Sequence, residues 1–148
     1  MIKIWFDMDG TIANLYGVDS WLDYLLNGNA FPYRAAKPLL NLNSLARALN
    51  QLQQKGYEIG IISWLSKDST AEYDEKVKQA KLWWLHKHLT SVRWDTIHIV
   101  PYGTHKFDIC KDGILFDDEE KNRASWTNGK AYRPEEILKV LRELNIAA

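Results

Sequence analysis

Short, dense apolar runs alternate along this chain with longer stretches of helical period. The runs are Ile2 to Phe6, Tyr57 to Ile62, Thr96 to Val100, Ile114 to Phe116 and Lys130 to Tyr132. Their length and few polar breaks predict strands, the inner ones covered on both faces. Between them apolar residues recur three and four apart. Leu42, Leu45, Ala46, Leu49 and Leu52 predict a helix opened by Asn41 or Asn43 and closed at Lys55-Gly56. Val77, Ala80, Leu82, Trp84, Leu85 and Leu89 predict a longer one, starting at Ser66, Asp68 or Ser69 and ending at His88 or Leu89. Asn122 to Trp126 reads as a short helix, and Pro134 opens a last one through Ile137, Leu138, Val140, Leu141 and Leu144. Strands alternating with helices predict an open α/β domain over residues 1–148. Its sheet is five-stranded and mostly parallel, with helices on both faces: a three-layer, Rossmann-like arrangement.

One stretch breaks the alternation. Residues 12–38 separate the first strand from its helix, far more than the ~2–6 residues of an ordinary strand-helix loop. Within it, Asp19 or Ser20 is placed to cap a helix whose apolar face is Trp21, Leu22, Leu25 and Leu26, ended by Asn27-Gly28-Asn29. Phe31 to Pro38 reads as an aromatic loop. The stretch is expected to be a small cap inserted over the carboxyl edge of the sheet.

Polar residues cluster where strands should end. Asp7 and Asp9 follow the first run, Ser63 and Trp64 the second, and Asp117-Asp118-Glu119-Glu120 the fourth. Lys106 lies in the loop after the third. In an open parallel sheet such positions converge in the crevice at the strands' carboxyl ends. Carboxylates brought that close repel unless a cation or proton sits between them, and Mg²⁺ (magnesium) is the hard, oxygen-seeking cation that suits them. Each residue also has a plainer role: Asp7, Asp9 and Ser63 as turn residues, Asp117 to Glu120 as an acidic helix start, Lys106 as a solvated cation. Lys67, Lys81 and Lys111 compete with Lys106 as the basic partner. Plain roles leave unexplained why acids recur at two strand ends.

Composition narrows the classes. Nineteen Lys and Arg balance nineteen Asp and Glu, so bulk charge offers no attraction for long nucleic acid or anionic membrane. The single Cys110 excludes an internal disulfide and a cysteine zinc cluster, and reads as a small core residue. His86 and His88, two apart on a helix, make a poor metal pair. No apolar stretch reaches the ~18 residues of a membrane span, and a strand stands where a signal peptide would. A cytoplasmic location is expected.

Asp7-Met8-Asp9-Gly10-Thr11, Ser63 behind Ile61-Ile62, Lys106, and Asp117-Asp118 behind Ile114-Leu115-Phe116 stand in the order of four motifs of one family. The chain thus resembles the haloacid dehalogenase superfamily of phosphotransferases over almost its whole length. A carboxylate can attack phosphorus and hold the group as an aspartyl-phosphate, which makes Asp7 the candidate nucleophile. Asp9 is the candidate acid and base for the leaving oxygen and the attacking water. The resemblance implies a Mg²⁺ site made by the Asp7 side chain, the Asp9 carbonyl and either Asp117 or Asp118. It also implies Ser63, Trp64 and Lys106 around the phosphate. The family's dehalogenases lack the second acid, so Asp9 favours phosphate chemistry.

The run from Lys81 to Leu89, with Thr96 to Ile99 and Asp117-Asp118, is similar to the 5′(3′)-deoxyribonucleotidase branch. That likeness implies a base held between aromatic residues, with Trp21, Phe31, Tyr33 and Trp64 as candidates. The inserted stretch is shorter than that branch's cap, which leaves room for a bulkier phosphoester. The expected activity is a Mg²⁺-dependent phosphatase for a small phosphomonoester, most simply a nucleotide. Hydrolysis at phosphorylated polynucleotide ends and a non-catalytic interaction module are the alternatives.

Overall fold

A computed structural model describes residues 2–147. In chain order its elements are β1 (Lys3–Phe6), β2 (Ala13–Asn14), α1 (Trp21–Leu26), α2 (Phe31–Ala35), β3 (Lys37–Pro38), α3 (Leu42–Gln54), β4 (Glu58–Trp64), α4 (Ala71–His88), β5 (Thr96–Val100), α5 (Lys106–Ile109), β6 (Ile114–Phe116), α6 (Glu120–Ser125), β7 (Ala131–Tyr132) and α7 (Ile137–Ala147). The main sheet has the order β5-β4-β1-β6-β7, every neighbour parallel.

Alternation along each strand sorts the core into two faces. Ile4, Phe6, Ile59, Ile61 and Phe116 meet leucines of α3, Trp84 and Leu85 of α4, and Val140 and Leu141 of α7. Trp5, Ile62 and Leu115 point the other way, onto Cys110 and Trp126 beside the short helices α5 and α6. The second helical layer is therefore thin. Gly60 faces the Trp5 ring so closely that a Cβ there would collide with it.

The chain steps outward from β1 to β4 and β5, then returns to β6 on the far side of β1. That reversal opens a crevice beside β1 at the carboxyl edge. Residues 13–38 lie outside the main sheet. β2 and β3 pair antiparallel and carry α1 and α2 between them. The stretch read as an aromatic loop is thus partly helix. Trp84 secures it, donating its indole N–H to the Ala36 carbonyl at 2.8 Å.

Several boundaries differ from the sequence reading: Lys106, expected in a loop, opens α5, and the helix expected over residues 122–126 spans Glu120–Ser125. β4 continues through Trp64, because Ser63 and Trp64 pair with Ile99 and Val100 of β5. α4 starts later than expected, at Ala71, because Thr70 caps it by accepting the Tyr73 amide at 3.1 Å.

Candidate active site

Past Phe6 the chain turns sharply. The Met8 carbonyl accepts the amides of Thr11, Ile12 and Ala13 at 3.0–3.1 Å. Gly10 takes φ +81°, and a Cβ on it would run into the Asp118 carboxylate. Glycine is needed both for the left-handed turn and for that close approach. Parallel register aligns Phe6 with Phe116, so Asp7 and Asp117 leave adjacent strand ends side by side.

Lys106 and Thr11 fix Asp7. The Lys106 ammonium lies 2.9 Å from Asp7 Oδ1, and the Thr11 hydroxyl donates to Oδ2 at 2.9 Å. Lys106 also reaches Asp117 Oδ2 at 2.6 Å, an oxygen that accepts from Asn122 as well, at 3.1 Å. Lys106 is only 2% exposed. Burial works against its charge, but Asp7 and Asp117 outweigh burial and hold its pKa above the ordinary lysine value. The Trp64 ring lies 5.4 Å over the same ammonium.

A second buried lysine, Lys81, stands across the crevice on α4. Its ammonium contacts Asp9 Oδ2 at 2.9 Å, Ser63 Oγ at 2.5 Å and the Trp64 carbonyl at 2.7 Å. Burial raises the Asp9 carboxyl pKa above its usual range, while Lys81 pulls the other way.

One carboxylate oxygen each from Asp7, Asp117 and Asp118 lies within 4.8 Å of the others. Burial, and next the charge of Asp7, pushes Asp117 up to about 6 and Asp118 up to about 8. Three acids against the single Lys106 leave uncompensated negative charge, in an all-oxygen set of the kind a hard divalent cation takes. The residues present therefore fit Mg²⁺.

A cavity of about 520 Å³ runs from Asp7 and Asp9 out to α1. Its outer walls are mainly apolar and aromatic: Tyr16, Trp21, Leu22, Leu25, Tyr73 and Tyr102 among them. Trp64 is held in place by its indole N–H, which donates to the Thr104 carbonyl at 2.9 Å, and its ring meets Tyr102 at 5.0 Å.

With this geometry in place, comparison with known proteins is informative at the level of fold. No protein-family model matches the chain, and no curated protein sequence matches it. Solved structures do. A D,D-heptose 1,7-bisphosphate phosphatase from B. bronchiseptica, complexed with magnesium and phosphate, superposes with a TM-score of 0.65 at 14% identity, covering 100% of both chains. The enzyme of that name from Burkholderia thailandensis gives 0.59 at 11% identity, over 97% of this chain and 98% of the other. The chain shares with these two phosphatases a Rossmann-like α/β fold built on a parallel five-stranded sheet. That fold agrees with the architecture that the four motifs implied.

Asp7, Asp9, Trp64, Lys106, Asp117 and Asp118 line one crevice, and Ser63 lies fully buried next to it, against Lys81. Trp21 and Tyr33 line the cavity, whereas Phe31 lies apart from it. Phe31 packs on Tyr24 at 5.2 Å and is half exposed. Two residues apart on α2, Phe31 and Tyr33 point to different faces, and Tyr33 takes the inward one. Thr11 and Asn122 were missed as partners of the acids, and Lys81 was only one of several competing cations. A lysine on the Val77, Ala80, Trp84 and Leu85 face of α4 needs a buried acceptor, and that was the available signal.

Proposed function

We propose that the protein is a Mg²⁺-dependent phosphatase that cleaves a phosphomonoester with a flat, aromatic leaving group, a nucleoside being the best fit. The observation that carries this reading is the triad Asp7, Asp117 and Asp118, clustered within 4.8 Å beside the buried Lys106 at the end of β1. The B. bronchiseptica phosphatase of like fold holds magnesium and phosphate together, which supports the same chemistry here.

The steps follow from the side chains. An Asp7 oxygen attacks phosphorus, and the bond to the leaving oxygen breaks as Asp9 gives that oxygen a proton. The group is then an aspartyl-phosphate on Asp7. Asp9, now a carboxylate, takes a proton from water as the water oxygen attacks phosphorus, and Asp7 is released. Burial keeps the Asp9 carboxyl above its ordinary range, which suits an acid that must hold a proton before the first step. Lys106 holds Asp7 in place and puts positive charge beside the phosphoryl oxygens. Mg²⁺, on Asp7, the Asp9 carbonyl and Asp117 or Asp118, would supply further neutralisation of that charge.

The outer cavity argues for the leaving group. Trp21, Tyr33, Trp64 and Tyr102 offer ring faces for a base to stack on, worth roughly 1–3 kcal/mol per base, and Ser66, Lys67, Ser69 and Thr70 of the same cavity offer hydrogen bonds to its sugar. A cytoplasmic setting, where Mg²⁺ and nucleotides coexist, suits the reading. Phosphate release from nucleoside monophosphates, sugar phosphates and a 3′-phosphorylated oligonucleotide, each with Mg²⁺ and with chelator, tests it. Mg²⁺-dependent turnover led by a nucleoside monophosphate is the expected result. Absence of turnover on every substrate, in folded protein that binds Mg²⁺, would overturn it.

A further inference from the structure

We infer that Lys81 is a positioning residue, which fixes the proton-transferring carboxyl of Asp9 and the hydroxyl of Ser63 in their working orientations. This rests on the phosphatase reading above. Lys81 is 1% exposed, in the middle of a long helix whose neighbouring inward residues are apolar. Burying an ammonium there is costly unless all its protons find acceptors.

They do. An ammonium has three N–H bonds, and Lys81 meets three acceptors: Asp9 Oδ2, Ser63 Oγ and the Trp64 carbonyl. No proton is left for a substrate oxygen, so Lys81 acts through its neighbours. Tyr33 lies over it, with the ammonium 5.3 Å from the ring centroid, and closes the group off from the cavity. The consequences differ at the two partners. One Asp9 oxygen is pinned, which sets the direction of the other. Ser63 Oγ has a lone pair occupied by a cationic donor, so its own hydrogen must point away from Lys81. Among the described residues the Ser63 hydroxyl donates to none; Ser63 is fully buried, so its hydrogen serves a phosphate oxygen only when the phosphate seats against the end of β4. Two strand ends, β1 through Asp9 and β4 through Ser63, are thereby held in register by one side chain of α4.

The experiment separates proton delivery from phosphate binding by the choice of leaving group. A p-nitrophenolate leaves without needing a proton, whereas an alkoxide needs one. Wild-type protein, Lys81→Met and Lys81→Gln are compared with Mg²⁺ on p-nitrophenyl phosphate and on a simple alkyl phosphate by kcat/KM, which reports formation of the aspartyl-phosphate and not its hydrolysis, with thermal melts of each. Loss of the Ser63 contact lowers both rates. Loss of the Asp9 contact lowers the alkyl rate further, by about 10²-fold, as expected when a general acid is misplaced. Gln, which keeps two donors, recovers part of that extra loss. Equal losses on both substrates in a folded variant would overturn the proposal, because Lys81 would then serve phosphate binding or the core alone. Failure of both variants to melt cooperatively would likewise assign Lys81 to the core. A wild type inactive on both substrates would refute the phosphatase reading itself, and this inference with it.

Discussion

Asp7 accepts one hydrogen bond on each carboxylate oxygen, from Lys106 and from Thr11, and neither donor can rotate away without leaving a buried group unpaired. That rigidity suits an atom that must attack along one line. Asp7→Asn keeps an acceptor oxygen and removes the negative charge that crowds Asp117 and Asp118. The variant is expected to fold with an unchanged or higher Tm while kcat falls by about 10³-fold or more. Near-normal turnover would refute covalent catalysis at Asp7. Polarity made the acids legible at this scale, since charges that close an apolar run stand out. The two lysines were harder to rank. Lys76, Lys78, Lys81 and Lys87 share one helix, and only the inward face distinguishes Lys81, which is buried, from the exposed Lys76 and Lys87 and the half-buried Lys78.

Helix α1 is unusual among the elements: it is apolar on one side, yet none of its residues is fully buried. Leu22 is 50% exposed and Leu26 75%. A face of that composition gains little until something covers it, and here it borders the cavity. Leu22→Ser is therefore expected to leave Tm nearly unchanged and to raise KM for nucleoside monophosphates by about tenfold, with little change for small aryl phosphates. Equal effects on both substrates would remove α1 from leaving-group recognition. Periodicity revealed α1, α3, α4 and α7 because each repeats its apolar spacing. It did not reveal α2, whose five residues include Pro32 and which is held by burial of Tyr33 rather than by its own propensity.

For the molecule as a whole, the crowded acids link stability to pH and to metal. Burial raises Asp118 from 3.8 to about 8, so the folded state holds a proton that the unfolded chain has released. Stability from this group is full below about 3.8 and declines as pH rises toward 8. In chelator, Tm is expected to be lower at pH 8 than at pH 5.5. Mg²⁺ should raise Tm more at the higher pH, where the carboxylates are charged and free of protons. Asp118→Asn should flatten the chelated profile. A Tm that rises with pH in chelator, or a Mg²⁺ shift equal at both, would contradict this account. Strand order lay beyond local pattern, since nothing near Phe6 in the chain announces that Ile61 and Phe116 will flank it.

That strand order also governs how the chain must be made. β1 is central, yet its two partners are translated much later, β4 from residue 58 and β6 from residue 114. A nascent chain therefore presents this largely apolar strand before either partner exists, and the strand waits for both neighbours. Pairings of such long sequence separation are slow and leave edges open to other chains. The strand that carries Asp7 is synthesised before both of its partners and enclosed only after the later one, which makes it the natural point of chaperone dependence during biosynthesis.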